Sequence, residues 1–145
     1  MGAGRNPYFR KLLVGFDGSP EAERAVEVGM ELASCLNAEL LVLSVAHLPK
    51  PATIVEVQAS LDDARERYRA ALEQLIHHAR EDGLQVTGEI VAGHPAQQII
   101  HRAETGSIDM VLLGRHSGFR LSKFLASSIS EQVLKYTHCP VVIVT

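Results

Sequence analysis

Five short runs suited to strands, Lys11–Phe16, Leu40–Ala46, Gln85–Val91, Ile108–Leu113 and Val141–Thr145, alternate with four stretches of helical periodicity. This alternation, closed by a strand, constrains the chain more than any other feature. A helix between two strands is the crossover that parallel pairing requires, and such crossovers are right-handed. The pattern predicts an α/β fold: a doubly wound five-stranded parallel sheet in the order 3-2-1-4-5, with two helices on each face. Leu40–Ala46 is apolar almost throughout, as a strand covered on both faces should be. Gln85–Val91 is more polar and belongs at a sheet edge.

The helices carry their own punctuation. Ser19 is a natural N-cap and Pro20 suits the first helical position, so a helix runs from there to about Leu36. Its core face is Ala22, Ala25, Val26, Gly29, Leu32 and Ala33. After a Pro-bearing loop, His47–Thr53, a long amphipathic helix is predicted from about Val57 to Glu81. Leu61, Ala64, Tyr68, Ala71, Leu72, Leu75 and Ile76 form its stripe, and Gly83 lies beyond its end. A third helix opens at Gly93-His94-Pro95-Ala96 and runs to about Thr105; a fourth covers Glu131–Tyr136. The 145 residues make one domain, 11–145, behind a loose polar tail, 1–10.

Composition narrows the function classes. Hydrophobic residues make up 46% and charged residues 21%, which is ordinary for a soluble globular domain. A net charge of −3 gives no general basic field, so nucleic acid is not an expected partner. No apolar run approaches the roughly 18 residues that span a bilayer, and no signal peptide is visible; the expected compartment is cytoplasmic. Cys35 and Cys139 have no spacing that pairs them and read as reduced structural thiols. His77-His78 faces solvent, with no further ligand at metal-binding spacing, so no protein-only metal site is expected. There is no Gly-x-Ser-x-Gly elbow, no Gly-x4-Gly-Lys-Ser/Thr loop and no Cys/His pair with a third member. The third strand ends Ile90-Val-Ala-Gly93, without the Asp that a phosphoacceptor receiver needs there. The chain is therefore not expected to be an enzyme.

One segment does carry chemistry. Gly114–Ser130 is rich in small residues and lies between the end of the fourth strand and the last helix, where backbone N–H groups can hold an anion. Arg115, Arg120 and Lys123 within it could offset phosphate charge. In a sheet of this order the ligand crevice opens where the order reverses, between the first and fourth strands. That places Asp17, at the end of the first strand, opposite the Gly114 segment. Asp17 also suits a turn, where its carboxylate would bond the N–H groups of Gly18 and Ser19.

The chain resembles the universal stress protein family over nearly its whole length. Four segments carry the resemblance: Leu13-Val-Gly-Phe-Asp17-Gly-Ser19, Ala92-Gly-His-Pro-Ala96-Gln-Gln-Ile99, Asp109-Met-Val-Leu-Leu-Gly114, and Ser127-Ser-Ile-Ser-Glu131-Gln-Val-Leu-Lys135 with Cys139-Pro-Val-Val-Ile-Val144. The resemblance implies a Rossmann-like fold and an adenine nucleotide, ATP or AMP, as ligand. ATP-binding members carry Gly-x2-Gly-x9-Gly-Ser/Thr. Here the spacing is intact, but the positions read Gly114, Ser117, Ser127 and Ser128, so two of the three glycines are replaced. A Ser keeps its N–H and adds a hydroxyl, yet its Cβ penalises a left-handed backbone by roughly 1–2 kcal/mol, about tenfold in affinity. Gly118 could take up a turn displaced by one residue. By the same matching, Asp17 corresponds to the acid near the ribose or metal, with Gly15 and Phe16 beside it. Val45 corresponds to the residue whose backbone meets adenine, and Leu113 closes the base pocket. Ser128, Ile129 and Ser130 lie at the triphosphate, and Mg²⁺ is held mainly by phosphate oxygens. Any ATP hydrolysis would be slow, since no residue is placed to orient water.

Two readings stay open: a regulatory nucleotide binder with weakened affinity, and a dimeric interaction module with a vestigial pocket, such as the soluble domain of a transporter. Both expect a homodimer. Val141–Val144 is a short apolar strand at the predicted sheet edge, which invites pairing with its copy.

Overall fold

The structure, a computed structural model, describes residues 6–48, 51–115 and 129–145. Its elements are β1 (Lys11–Gly15), α1 (Pro20–Leu36), β2 (Glu39–His47), α2 (Ile54–Glu81), β3 (Val86–Gly93), α3 (Pro95–Thr105), β4 (Met110–Gly114), α4 (Ile129–Tyr136) and β5 (Val141–Val144). All strand pairs are parallel and the sheet order is β3-β2-β1-β4-β5, as the alternation predicts. Helices α1 and α2 pack on one face and α3 and α4 on the other, the arrangement that right-handed crossovers impose when the winding reverses after β3.

Two cores result, divided by the sheet. Leu12, Val14, Leu40 and Val42 face α1 and α2, while Leu13, Leu41, Leu43, Val111 and Leu113 face α3 and α4. The central strands are buried on both faces, which is why their sequences lack polar alternation.

Helix α2 starts three residues earlier than its apolar stripe suggests. Thr53 Oγ1 accepts the Glu56 N–H at 3.2 Å, and the Glu56 carboxylate accepts the Thr53 N–H at 2.7 Å. This reciprocal capping box satisfies two otherwise orphaned donors, so the helix begins there despite exposed Ile54 and Val55. Strand β3 runs two residues further than its apolar run, because Ala92 and Gly93 keep pairing with Ala46 and His47. Strand β4 begins at Met110, after Asp109. The Asp109 N–H bonds the Lys11 carbonyl, and its carboxylate accepts the N–H groups of Arg10 and Lys11 at 2.8 and 3.0 Å. Within the expected tail, Asn6 Oδ1 accepts the Tyr8 N–H, and Phe9 packs on the core.

The two edges differ. β3 offers Thr87, Gly88 and Glu89 along its length, and Glu89 is engaged by Arg102 of α3. β5 is entirely apolar. The Val111 N–H bonds the Pro140 carbonyl and the Arg115 N–H bonds the Val144 carbonyl, so the even-numbered residues face β4 and the Val141 and Ile143 backbone groups point outward. No helix among the described residues is long and apolar enough to cross a membrane.

Candidate functional site

At the carboxyl end of β1 the chain reads Gly15-Phe16-Asp17-Gly18-Ser19. Asp17 Oδ1 accepts the Ser19 N–H at 2.9 Å, and Ser19 Oγ accepts the Ala22 N–H at 3.1 Å. Carboxylate and hydroxyl thus define turn and helix start in succession. Gly18 takes φ +82°, a left-handed conformation, and a Cβ there would stand 3.3 Å from the Tyr68 ring. Tyr68, on α2, is buried and meets Phe16 edge-on with ring centroids 6.1 Å apart. Two turns nearer the start of the helix, Ser60 Oγ donates to the His47 carbonyl at 3.4 Å. Helix α2 is therefore seated on both the β1–α1 turn and the end of β2.

These contacts frame a cleft of about 390 Å³ over the ends of β1 and β2, a size suited to a small organic ligand. On the α3/α4 side its wall is apolar: Leu43, Val45, Pro95, Ile99, Leu113 and Ile129. On the α2 side Ser60, Asp63, Ala64, Arg67 and Tyr68 line it, and Asp17 and His47 sit between. Tyr68, and after it Asp63, push the Arg67 guanidinium above its ordinary pKa. His47 and His94, the residue preceding α3, stand with ring centroids 6.2 Å apart at the β2/β3 side.

Of the residues singled out in the sequence, Gly15, Phe16, Asp17, Val45, Leu113 and Ile129 are brought together in this cleft. Gly114, Arg115 and Ser130 are not among its lining residues. Gly114 ends β4 against the first turn of α1, where a Cβ would stand 2.6 Å from the Glu21 carbonyl. Arg115 is exposed and Ser130 half-buried in the first turn of α4. Ser117, Gly118, Ser127 and Ser128, with His116, Arg120 and Lys123, lie outside the described residues. His77 and His78 are exposed beside Glu81, and among the described residues no group of three His, Cys, Asp or Glu is placed to hold a metal. Cys35 is exposed on α1 and Cys139 half-buried; both are free, and burial pushes the Cys139 thiol up. The α2 wall escaped the sequence reading. Tyr68 was legible as core, but Ser60, Asp63 and Arg67 look in sequence like any solvated flank of an amphipathic helix.

A doubly wound parallel sheet with a cleft over the carboxyl ends of its central strands places the chain among small α/β domains of Rossmann-like architecture. The Universal stress protein family model matches residues 8–145. A universal stress protein of Thermus aquaticus is 30% identical over 142 residues, covering 94% of this chain and 98% of its relative. In structure, the universal stress protein UspA from Lactobacillus plantarum superposes with a TM-score of 0.81 at 23% identity, over 97% of this chain and 100% of the other. A universal stress protein solved in complex with cAMP gives a TM-score of 0.75 at 20% identity, over 95% and 98% of the two chains. The chain belongs to the universal stress protein family.

Proposed function

We propose that this chain is a regulatory module that binds an adenine nucleotide, ATP or AMP, in the cleft at the ends of β1 and β2, and acts through binding rather than turnover. The observation that carries the reading is the cleft itself, which sets an apolar slot beside a carboxylate at the switch point. A base fits between Val45, Leu113 and Ile129, with the Val45 backbone available to its edge. Asp17 would accept from a ribose hydroxyl, with Gly15 and Phe16 beside it. The triphosphate would run toward Gly114, Arg115 and the first turn of α4 at Ile129 and Ser130, with Ser117, Gly118, Ser127 and Ser128 expected beside it from the sequence motif and any Mg²⁺ held mainly by phosphate oxygens and water. That a family member of the same fold holds cAMP supports an adenine nucleotide as the ligand class.

Affinity is expected to be modest, because Ser117 and Ser127 stand where the phosphate motif has glycine. Calorimetric titration with ATP–Mg²⁺ and with AMP tests the reading: heat and a thermal shift are expected, and neither at millimolar nucleotide overturns it. Ser117→Gly combined with Ser127→Gly should tighten ATP about tenfold for each truly left-handed position.

A second reading rests on β5. Its outward Val141 and Ile143 backbone groups and its apolar side chains favour an interaction module that pairs edge to edge with its copy. Sedimentation should show a dimer, and Ile143→Pro, which removes an outward N–H without touching the β4 ladder, should yield a folded monomer. A monomeric parent chain would sink the idea. We take both activities to be cytoplasmic, where Cys35 and Cys139 stay reduced.

A further inference from the structure

The α2 wall of the cleft carries an ion pair to which neither the phosphate motif nor the strand-end residues assign a role. Arg67 Nη2 donates to Asp63 Oδ2 at 2.8 Å, one turn apart on the helix, and both residues line the cleft. Other i,i+4 and i,i+3 pairs run along α2, Arg65–Asp62 and Arg69–Glu73 among them, but none of these lines it. The Arg67 guanidinium also lies 5.8 Å from the centre of the Tyr68 ring, which holds it toward the β1 end. Because Ser60 meets His47 and Tyr68 meets Phe16 and Gly18, the stretch of α2 that carries this pair is seated on the strand ends that floor the cleft.

We propose that Asp63 and Arg67 form a base-reading subsite that selects adenine over guanine, an inference resting on the nucleotide reading above. An acceptor beside a donor matches the adenine edge, where the N6 amine donates and N7 accepts. Guanine presents two acceptors there, O6 and N7, so its O6 meets the Asp63 carboxylate with no proton between them. Arg67 serves N7, which both purines share, and therefore sets purine affinity without setting the choice. Asp63 sets the choice.

The test is calorimetric titration of the full chain with AMP and with GMP. The wild-type chain is expected to bind AMP about tenfold more tightly or better, the discrimination of one good base contact. Asp63→Asn, whose amide can also donate to O6, should bring the two affinities within about threefold. Arg67→Gln should weaken both by a similar factor and leave their ratio unchanged. Equal wild-type affinities, or an AMP/GMP ratio unmoved by Asp63→Asn, overturn the subsite while leaving nucleotide binding intact. Binding of neither AMP nor GMP to the wild-type chain overturns this inference, and if ATP–Mg²⁺ also fails to bind, the nucleotide reading falls with it. Both residues are more than half exposed, at 67% and 62%, so the variants are expected to fold.

Discussion

On one side of the cleft Ile99 and Leu113 belong to the core that α3 and α4 seal against the sheet, at 4% and 1% exposure. On the other side Asp63 and Arg67 stand on the solvent flank of α2, with the Arg67 guanidinium over the ring of Tyr68. The first wall is a by-product of folding: the residues that hold the sheet together also shape a slot for a flat apolar group. The second is detachable, since its side chains can change without disturbing what lies beneath. On the reading proposed above, stability rests with the apolar wall and selectivity with the exposed pair on α2.

That division can be broken by substitution. The largest effect is expected from Ile99→Ala, which empties a buried site on the apolar wall. It should cost about 2–5 kcal/mol and weaken nucleotide binding together with stability, as read by denaturant melts with and without ligand. Next comes Gly114→Ala. Its methyl would press on the backbone of Glu21, and the expected loss is about 1–3 kcal/mol with no nucleotide present. An unchanged melting temperature would mean that Gly114 is not there for packing. The smallest effect belongs to the polar wall: Asp63→Asn and Arg67→Gln should each shift stability by less than about 0.5 kcal/mol. A larger loss would show that the two walls are not independent.

Much of this was legible in the sequence for a physical reason. Strand order follows from the β–α alternation and the handedness of crossovers, neither of which needs side-chain detail. The apolar wall was half legible, since Val45 and Leu113 end strands whose apolar runs are unmistakable. The start of α2 was misplaced because its first turn is held by hydrogen bonds of Thr53 and Glu56, with Ile54 and Val55 exposed, so apolar periodicity carries no sign of it. Asp63 and Arg67 were illegible for a different reason. Their neighbours in the cleft lie on β1, β2 and β4, and helical spacing alone cannot say which end of the sheet a polar flank overlooks. Gly114 shows the converse: a glycine that suits a phosphate loop also lets β4 lie against the backbone of α1.

The carboxylate of Asp109 takes the N–H of Lys11 from 98 residues away, and next to it Leu12 pairs with Met110 in the middle of the sheet. The β1–β2 and β2–β3 pairings close over far shorter stretches of chain, so their loop-closure entropy is smaller. Order of assembly follows. A chain emerging from the ribosome can build β1 through β3 with α1 and α2 early, but Leu113 cannot reach its place opposite Val45 until β4 has been made and has inserted beside β1. The cleft is among the last features a folding molecule acquires, and a truncated or stalled chain would be compact yet lack it.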